Sequence, residues 1–219
     1  MTSDTLLPLL HTNIPISFYH SLPSTNTTAK NLIASGEKGT RIVIANQQTA
    51  GRGQYGRSFH SPESHGIYMS FILDNTHSRW QPTAFTIYAA VCVAKAIEDV
   101  ANKTPTIKWV NDIFLDGKKV CGILTETIDS APHTVVVGIG MNVTSPATGF
   151  PPDIADIAGA IFPHGHPQAA TCHLAAAVIN PMVHFQSQSL QHVIDSYQKR
   201  LKNPLDIRPA LETVMEQVY

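Results

Sequence analysis

The stretch Thr106-Ile107-Lys108-Trp109-Val110-Asn111-Asp112-Ile113-Phe114-Leu115-Asp116-Gly117-Lys118-Lys119-Val120-Cys121-Gly122-Ile123-Leu124 decides the fold. Thr106 to Trp109, Asp112 to Leu115 and Lys119 to Ile128 read as short strands. Asp116-Gly117 between the last two is a strong two-residue hairpin signal. A further strand, Thr134 to Val143, extends the meander. Strands adjacent in sequence and joined by tight turns imply an antiparallel sheet with helices packed to one side.

Working outward, Ile16 to His20 has strand composition, and Ser24 is a good N-cap for a helix ending near Gly36. Gly39 leads into a strand from Arg41 to Ala45, and Gly66 to Leu73 reads as another buried strand. From Pro82 the apolar spacing at Phe85, Tyr88, Val91, Cys92, Ala96 and Val100 is helical, with Pro105 just beyond its end. Pro151 to Pro167 reads as a loop with a short helix around Asp153 to Ala160. Two helices follow, Gln168 to Ile179 and Met182 to Leu201, broken or kinked at Pro181, and a terminal helix is expected after Pro209. The fold class is α+β, with a mixed, largely antiparallel sheet.

Composition sets limits on function. The 219 residues suffice for one substantial core. Lys plus Arg number 15 against 16 Asp plus Glu, so the overall field favours neither nucleic acid nor membrane, and any anion site must be local. No apolar run approaches membrane-spanning length, and Met1 to Leu10 lacks the basic start of a secretory signal. Cys92, Cys121 and Cys172 are odd in number and widely spaced, which fits a reducing compartment; the expected location is cytoplasmic. His164-x-His166 lacks a paired Cys or Glu pattern and reads as solvated histidines rather than a metal site. His60 and His65 flank the loop described next, with no spacing that singles them out.

That loop is Gln48-Thr49-Ala50-Gly51-Arg52-Gly53-Gln54-Tyr55-Gly56-Arg57, placed directly after a strand. Glycine lets backbone approach a ligand, and guanidinium groups present planar donors that match phosphate and carboxylate oxygens. The composition suits an anion-binding loop, and a mobile surface loop with solvated arginines is the rival reading. With Ser24-Thr25-Asn26, Lys108-Trp109-x-Asn111-Asp112, Lys119-x-x-Gly122-Ile123-Leu124 and Gly138-x-Gly140-x-Asn142, the loop makes five elements in a fixed order. In that order and spacing the chain resembles the biotin protein ligase family from about Phe18 to about Val143, and more weakly through the helical segment beyond.

The resemblance implies a class II synthetase-like catalytic domain over residues 1–201. In the family a small SH3-type barrel usually follows. Residues 202–219 are read as a short tail without it, and the segment before Ser24 as too short for the winged helix of bifunctional members. The implied chemistry is ATP-dependent, with Mg²⁺. Biotin and ATP give biotinyl-5′-adenylate and pyrophosphate, and a lysine of a biotin carboxyl carrier domain then takes the biotin. No enzyme nucleophile is required, and no nucleic acid or membrane partner is expected. An exposed edge strand would pair either with the acceptor or with a second copy, so a homodimer stays open.

By the same resemblance, Lys119, Arg52 and Arg57 are the catalytic candidates, Lys119 reaching the carboxylate and α-phosphate. Biotin contacts fall to Ser24, Thr25, Asn26, Gln48, Gly51, Arg52, Gly53, Gln54, Lys119, Gly122 and Gly138. Neutral donors and acceptors are what an uncharged urea ring needs. ATP contacts fall to Arg57, Phe59, Lys108, Asn111 and Asn142, and Asp112 is the metal candidate. A helix cap at Ser24, a solvated Lys119 and a turn-capping Asp112 are the structural alternatives. Cys121 reads as a small buried residue rather than a nucleophile.

Two rivals remain at this level: a lipoate or octanoate ligase or transferase sharing the fold, and a degenerate biotin-binding protein. The family loop commonly has arginine at Gln54 and tryptophan at Phe59, and the smaller Phe59 ring can still stack on adenine. The missing charge at Gln54 weakens retention of an adenylate, so Gln54→Arg is expected to slow adenylate release; unchanged release in a chase experiment would refute this.

Overall fold

The computed structural model describes residues 1–77, 80–165, 169–203 and 214. One sheet contains β1 (Ile16–Leu22), β2 (Arg41–Gln48), β3 (Gly66–Asp74), β4 (Thr106–Lys108), β5 (Asp112–Leu115), β6 (Lys118–Thr127) and β7 (Thr134–Asn142), in the order β1-β2-β3-β7-β6-β5-β4. β1 and β2 are parallel, joined through helix α2 (Thr25–Ala34), and the remaining pairs are antiparallel. The β5–β6 hairpin turns at Asp116 and Gly117, with φ of 49° and 77°. Positive φ at both central positions is what a tight hairpin with the right twist demands.

Side chains alternate across this sheet, and the alternation separates two cores. Ile42 and Ile44, Met69 and Phe71, Ile123, and Val137 and Ile139 point to one face, where α3 (Pro82–Ala101), α4 (Ala170–Met182) and α5 (Leu190–Gln198) lie. Val43, Ala45, Ile72 and Val136 point to the other, where Ala29 of α2 meets them. Helices thus gather on one side, as expected, with α2 as the exception. It covers β2, β3 and part of β7 and leaves the β6 end of that second face open. A short N-terminal helix, α1 (Ser3–Leu6), packs on α4 through buried Leu6.

α3 starts with Pro82 at its first position, where the missing N–H removes no helical bond, and ends on Asn102 in the left-handed region. Around it, Phe85 meets Trp80 at 5.6 Å and Phe185 at 5.0 Å between ring centroids, both edge-on. Arg200 grips Glu98 through Nε and Nη2 at 2.8 and 2.7 Å, tying the end of α5 to α3. The chain next to it pairs with β4: Ile107 N–H donates to Arg200 O, and Lys202 N–H to Ile107 O.

Two expectations need correction. Residues 153–160 form turns rather than a helix, because this segment makes backbone bonds with β6: Lys119 N–H donates to Ile157 O and Gly159 N–H to Lys119 O. The break between the last two helices does not fall at Pro181, which lies inside the final turn of α4. The Tyr88 hydroxyl donates to Pro181 O at 2.7 Å, so a contact with α3 holds that turn in place. The chain leaves the helix after Met182 and restarts at Ser189, whose hydroxyl caps His192 N–H. Gln168, His166 and the helix expected after Pro209 lie outside the described residues.

Phe85 is fully buried in the aromatic cluster. Phe85→Ala is expected to cost about 3–5 kcal/mol, from lost burial and the cavity left behind, read as a lower urea midpoint at unchanged m-value.

Candidate functional site

The open half of the second face holds a cavity of about 240 Å³. Its floor is sheet backbone. Gly122 of β6 and Gly140 of β7 stand opposite each other in register, with Gly138 opposite Leu124. A methyl group at Gly140 would come within 2.6 Å of the Phe59 ring, and one at Gly138 would collide with the Asn26 amide. Glycine here is a requirement of close approach rather than of turn geometry.

Part of the cavity lining is neutral and polar. Ser24 caps α2 by accepting from Thr27 N–H at 3.4 Å, as its sequence position implied, and also lines the cavity. Gln48 Oε1 accepts from the Thr25 N–H at 2.8 Å and the Thr25 hydroxyl at 3.1 Å, while Nε2 donates to Ser61 Oγ at 2.8 Å. One Nε2 hydrogen of Gln48 is left to face a ligand. Asn26 is more committed: Nδ2 donates to Leu124 O and Glu126 Oε2, and Oδ1 accepts from the Ser70 hydroxyl at 2.6 Å. Its part in binding is confined to the remaining lone pair on Oδ1.

The charged lining is mainly cationic. Arg52, Arg57, Lys108 and Lys119 belong to it, against Asp112 as the one lining carboxylate. A chain with a net charge of −1 thus concentrates positive charge where the glycine-rich loop meets the sheet. Arg57 and Lys108 make no ion pair within the described residues. Lys119 Nζ lies 2.6 Å from Asp112 Oδ1, a close ion pair. A carboxylate at the cavity wall with its other oxygen uncommitted to Lys119 fits a divalent cation that takes its remaining ligands from phosphate and water. No cluster of three His, Cys, Asp or Glu exists among the described residues, His60, His65 and His164 included, so such an ion needs a phosphate ligand to stay.

Supports around these groups explain their placement. Asn111 Nδ2 donates to Ile123 O, and Ile123 N–H returns a bond to Asn111 O, both at 3.0 Å; the pair pins the turn that carries Asp112. Beneath it, Trp109 meets Tyr197 edge-on at 6.1 Å and the Tyr197 hydroxyl donates to Val110 O at 3.0 Å. Burial, and then the Asp112 charge, push the Tyr197 hydroxyl pKa up, so it stays a donor. Cys121 is buried, and its thiol pKa is raised by burial, which suits packing and opposes nucleophilic use.

Of the residues expected at the site, Ser24, Thr25, Asn26, Gln48, Arg52, Gly53, Gln54, Arg57, Phe59, Lys108, Asn111, Asp112, Lys119, Gly122 and Gly138 all line the cavity. Gly51 and Asn142 do not. Gly51 is buried where any side chain would strike the Phe59 carbonyl, and Asn142 Nδ2 donates to Gly159 O at 3.0 Å, holding the 157–159 segment against β6. Sequence reasoning missed Gly140 as floor and Glu126 beside Arg52. Glu126 follows Gly122 and Leu124 at the strand period of two, which was the available signal.

Its carboxylate accepts from Lys30 Nζ and Asn26 Nδ2, both at 2.8 Å, and lies 3.2 Å from Arg52 Nη1. Burial alone would raise its pKa. The hydrogen bonds from Lys30 and Asn26 and the charges of Lys30 and Arg52 outweigh that and hold it below the ordinary value.

An α+β sheet with a glycine floor beneath neutral polar and cationic side chains makes a small-molecule site suited to an anionic ligand. The model of the Biotin/lipoate A/B protein ligase family matches residues 18–142, and the chain belongs to that family. It is 35% identical over 188 residues to the bifunctional ligase/repressor BirA of Bacillus subtilis, covering 84% of this chain and 53% of that one. It is 32% identical over 162 residues to the biotin–[acetyl-CoA-carboxylase] ligase of Paracoccus denitrificans, covering 72% and 63%. The chain therefore spans only part of these relatives, about half in the case of BirA. Its fold is similar to that of the Aquifex aeolicus biotin protein ligase solved with biotin and ATP, with a TM-score of 0.70 and 22% identity over 86% of this chain and 78% of that one. The Leishmania major ligase solved with biotinyl-5-AMP gives a TM-score of 0.67 and 22% identity over 88% and 83%. Among the described residues no helix is long and apolar enough to cross a membrane.

Because the folded pKa of Glu126 lies below the unfolded one, its stabilisation is present above the ordinary glutamate value of 4.5 and is lost as pH falls through the lower folded value. Glu126→Gln is expected to flatten that part of the acid limb in urea unfolding measured as a function of pH.

Proposed function

We propose that this protein is an ATP-dependent biotin protein ligase whose catalytic domain spans residues 1–201. It forms biotinyl-5′-AMP and passes the biotin to a lysine of a biotin carboxyl carrier domain. The observation that carries this reading is one cavity lined both by neutral hydrogen-bonding groups and by a cluster of cations above a glycine floor. An acid with an uncharged urea ring and a carboxylate matches that lining, and the names of the relatives support the choice of biotin.

In the first step the biotin carboxylate attacks the α-phosphorus of ATP, and pyrophosphate leaves with the electrons of the broken bond. Two anions must be brought together, so the main catalytic demand is charge stabilisation and alignment. Arg52 faces the carboxylate, while Arg57 and Lys108 take phosphate oxygens. Lys119 supplies a point charge beside the pentavalent phosphorus, for which it must turn from Asp112. Asp112 would hold Mg²⁺, whose chemistry there is to neutralise phosphate oxygens. Phe59, lying over Gly122 and Gly140, offers an aromatic face for adenine.

In the second step the acceptor lysine attacks the acyl carbon. AMP leaves, and the nitrogen loses a proton. The activated mixed anhydride makes an enzyme nucleophile unnecessary, in keeping with the buried thiol of Cys121. Such chemistry is placed in the cytoplasm, where ATP and carrier proteins are present.

Incubating the purified protein with biotin, ATP and Mg²⁺, with and without a carrier domain, tests both steps. Pyrophosphate release and a biotin mass increment on the carrier are the expected outcomes, and neither product would end the proposal. Lys119→Ala is expected to lower kcat/KM for adenylate formation by about 10²–10³-fold, with an unchanged thermal unfolding profile.

A further inference from the structure

Glu126 has no part in the steps above, yet three pieces of the site converge on it. It sits on β6 with 18% of its side chain exposed. Its Oε2 accepts from Asn26 Nδ2 at 2.8 Å; its Oε1 accepts from Lys30 Nζ at 2.8 Å and stands 3.2 Å from Arg52 Nη1. Asn26 and Lys30 are one turn apart on α2, so both reach the same carboxylate from one helix face. Asn26 is itself fixed by the Ser70 hydroxyl and Leu124 O. The carboxylate is thus built into a rigid corner between helix and sheet.

Arg52 lies on the other side of that corner, on a segment flanked by Gly51 and Gly53. Thr49 N–H and Ala50 N–H tie the start of the loop to Leu22 O and Pro23 O, but beyond Ala50 its backbone bonds are short-range: Gly53 N–H to Arg57 O, Phe59 N–H to Gly51 O, and Arg57 N–H to Gln54 O. Among the described residues the contact with Glu126 is the ion pair that links an arginine of this loop to the sheet. A guanidinium carries five donors in a plane, and Glu126 engages one corner. With 45% of its side chain exposed and lining the cavity, Arg52 keeps its other donors for a ligand. Lys30 and Arg52 against Glu126 leave the cluster with one net positive charge, so the carboxylate orients the cation without cancelling the field that attracts an anion.

We infer that Glu126 is a positioning residue for the acid substrate: it holds the Arg52 guanidinium at the cavity edge, so that the substrate carboxylate meets an arginine already ordered. Without this tie the ordering of a long side chain on a glycine-flanked segment falls on the binding step and weakens affinity. Because the carboxylate is already charged before reaction, the loss appears in substrate binding more than in turnover. This inference rests on the ligase reading for its kinetic consequence and on the ligand-free structure for its mechanical one.

Two measurements test it. In the ligand-free protein, hydrogen exchange over Gly51–Arg57 is expected to be faster in Glu126→Gln than in the wild type, with β3 and α3 unchanged. In adenylate formation, Glu126→Gln is expected to raise the KM for biotin about tenfold and change kcat less than about twofold, and Glu126→Asp to recover part of the loss. In an Arg52→Ala background the same substitution should leave KM unaltered, since the partner is gone. A merely structural role would lower kcat through loss of active protein at constant KM. Unchanged loop exchange, or an equal KM rise in both backgrounds, overturns the inference. If the wild type forms no adenylate, the ligase reading falls, and the exchange comparison still decides whether Glu126 holds Arg52.

Discussion

A sheet has two faces to cover, and among the described residues only one is covered completely. α3, α4 and α5 close the face of Ile44, Phe71 and Ile139, whereas on the other α2 packs on β2, β3 and β7 and reaches β6 through the side chains of Asn26 and Lys30. Backbone left bare in this way needs either side chains or a ligand above it. Gly122, Gly138 and Gly140 remove the side chains beside the first turn of α2, where Asn26 faces Gly138. The cavity is therefore a consequence of strand alternation combined with a helix that covers only part of that face, and the rigid apolar face behind it fixes the floor's geometry.

Charge is then arranged around that floor by short links to the sheet. Asp112 and Lys119 belong to neighbouring strands, and Glu126 draws Lys30, Asn26 and Arg52 together from α2 and the loop. Arg52 and Lys119 are each held by a carboxylate that keeps them ordered, while among the described residues Arg57 and Lys108 have no such partner. Half-buried groups of this kind interact more strongly than solvated ones, because less water screens them. A site that must bring two anions together benefits from cations that are ordered before the ligand arrives.

Much of the architecture was legible locally. Asp116-Gly117 announced the hairpin through its tolerance of positive φ, Ser24 announced the start of α2, and the apolar spacing from Phe85 to Val100 announced α3. The errors arose where distant contacts outweighed local preference. Residues 153–160 surrender a helix to backbone bonds with Lys119, and Pro181 stays inside α4 with its carbonyl held by Tyr88. At the site, motif order brought most lining residues into view; Asn142 lies outside the cavity lining, and its amide supports the 157–159 segment.

The sequence by itself determined the strands and most of the helices, because turn conformation, strand alternation and helix capping act over a few neighbouring residues. It also determined that any anion site must be local, since the whole chain is nearly neutral. Only the tertiary structure decided which face of the sheet stays open, that Phe59 lies on the paired glycines, and that Glu126 is the partner of Arg52. Asn26 and Glu126 are 100 positions apart, and nothing local records that they meet. Their meeting depends on how α2 packs across the sheet, which is settled by the burial of Ala29, Val43 and Val136 together.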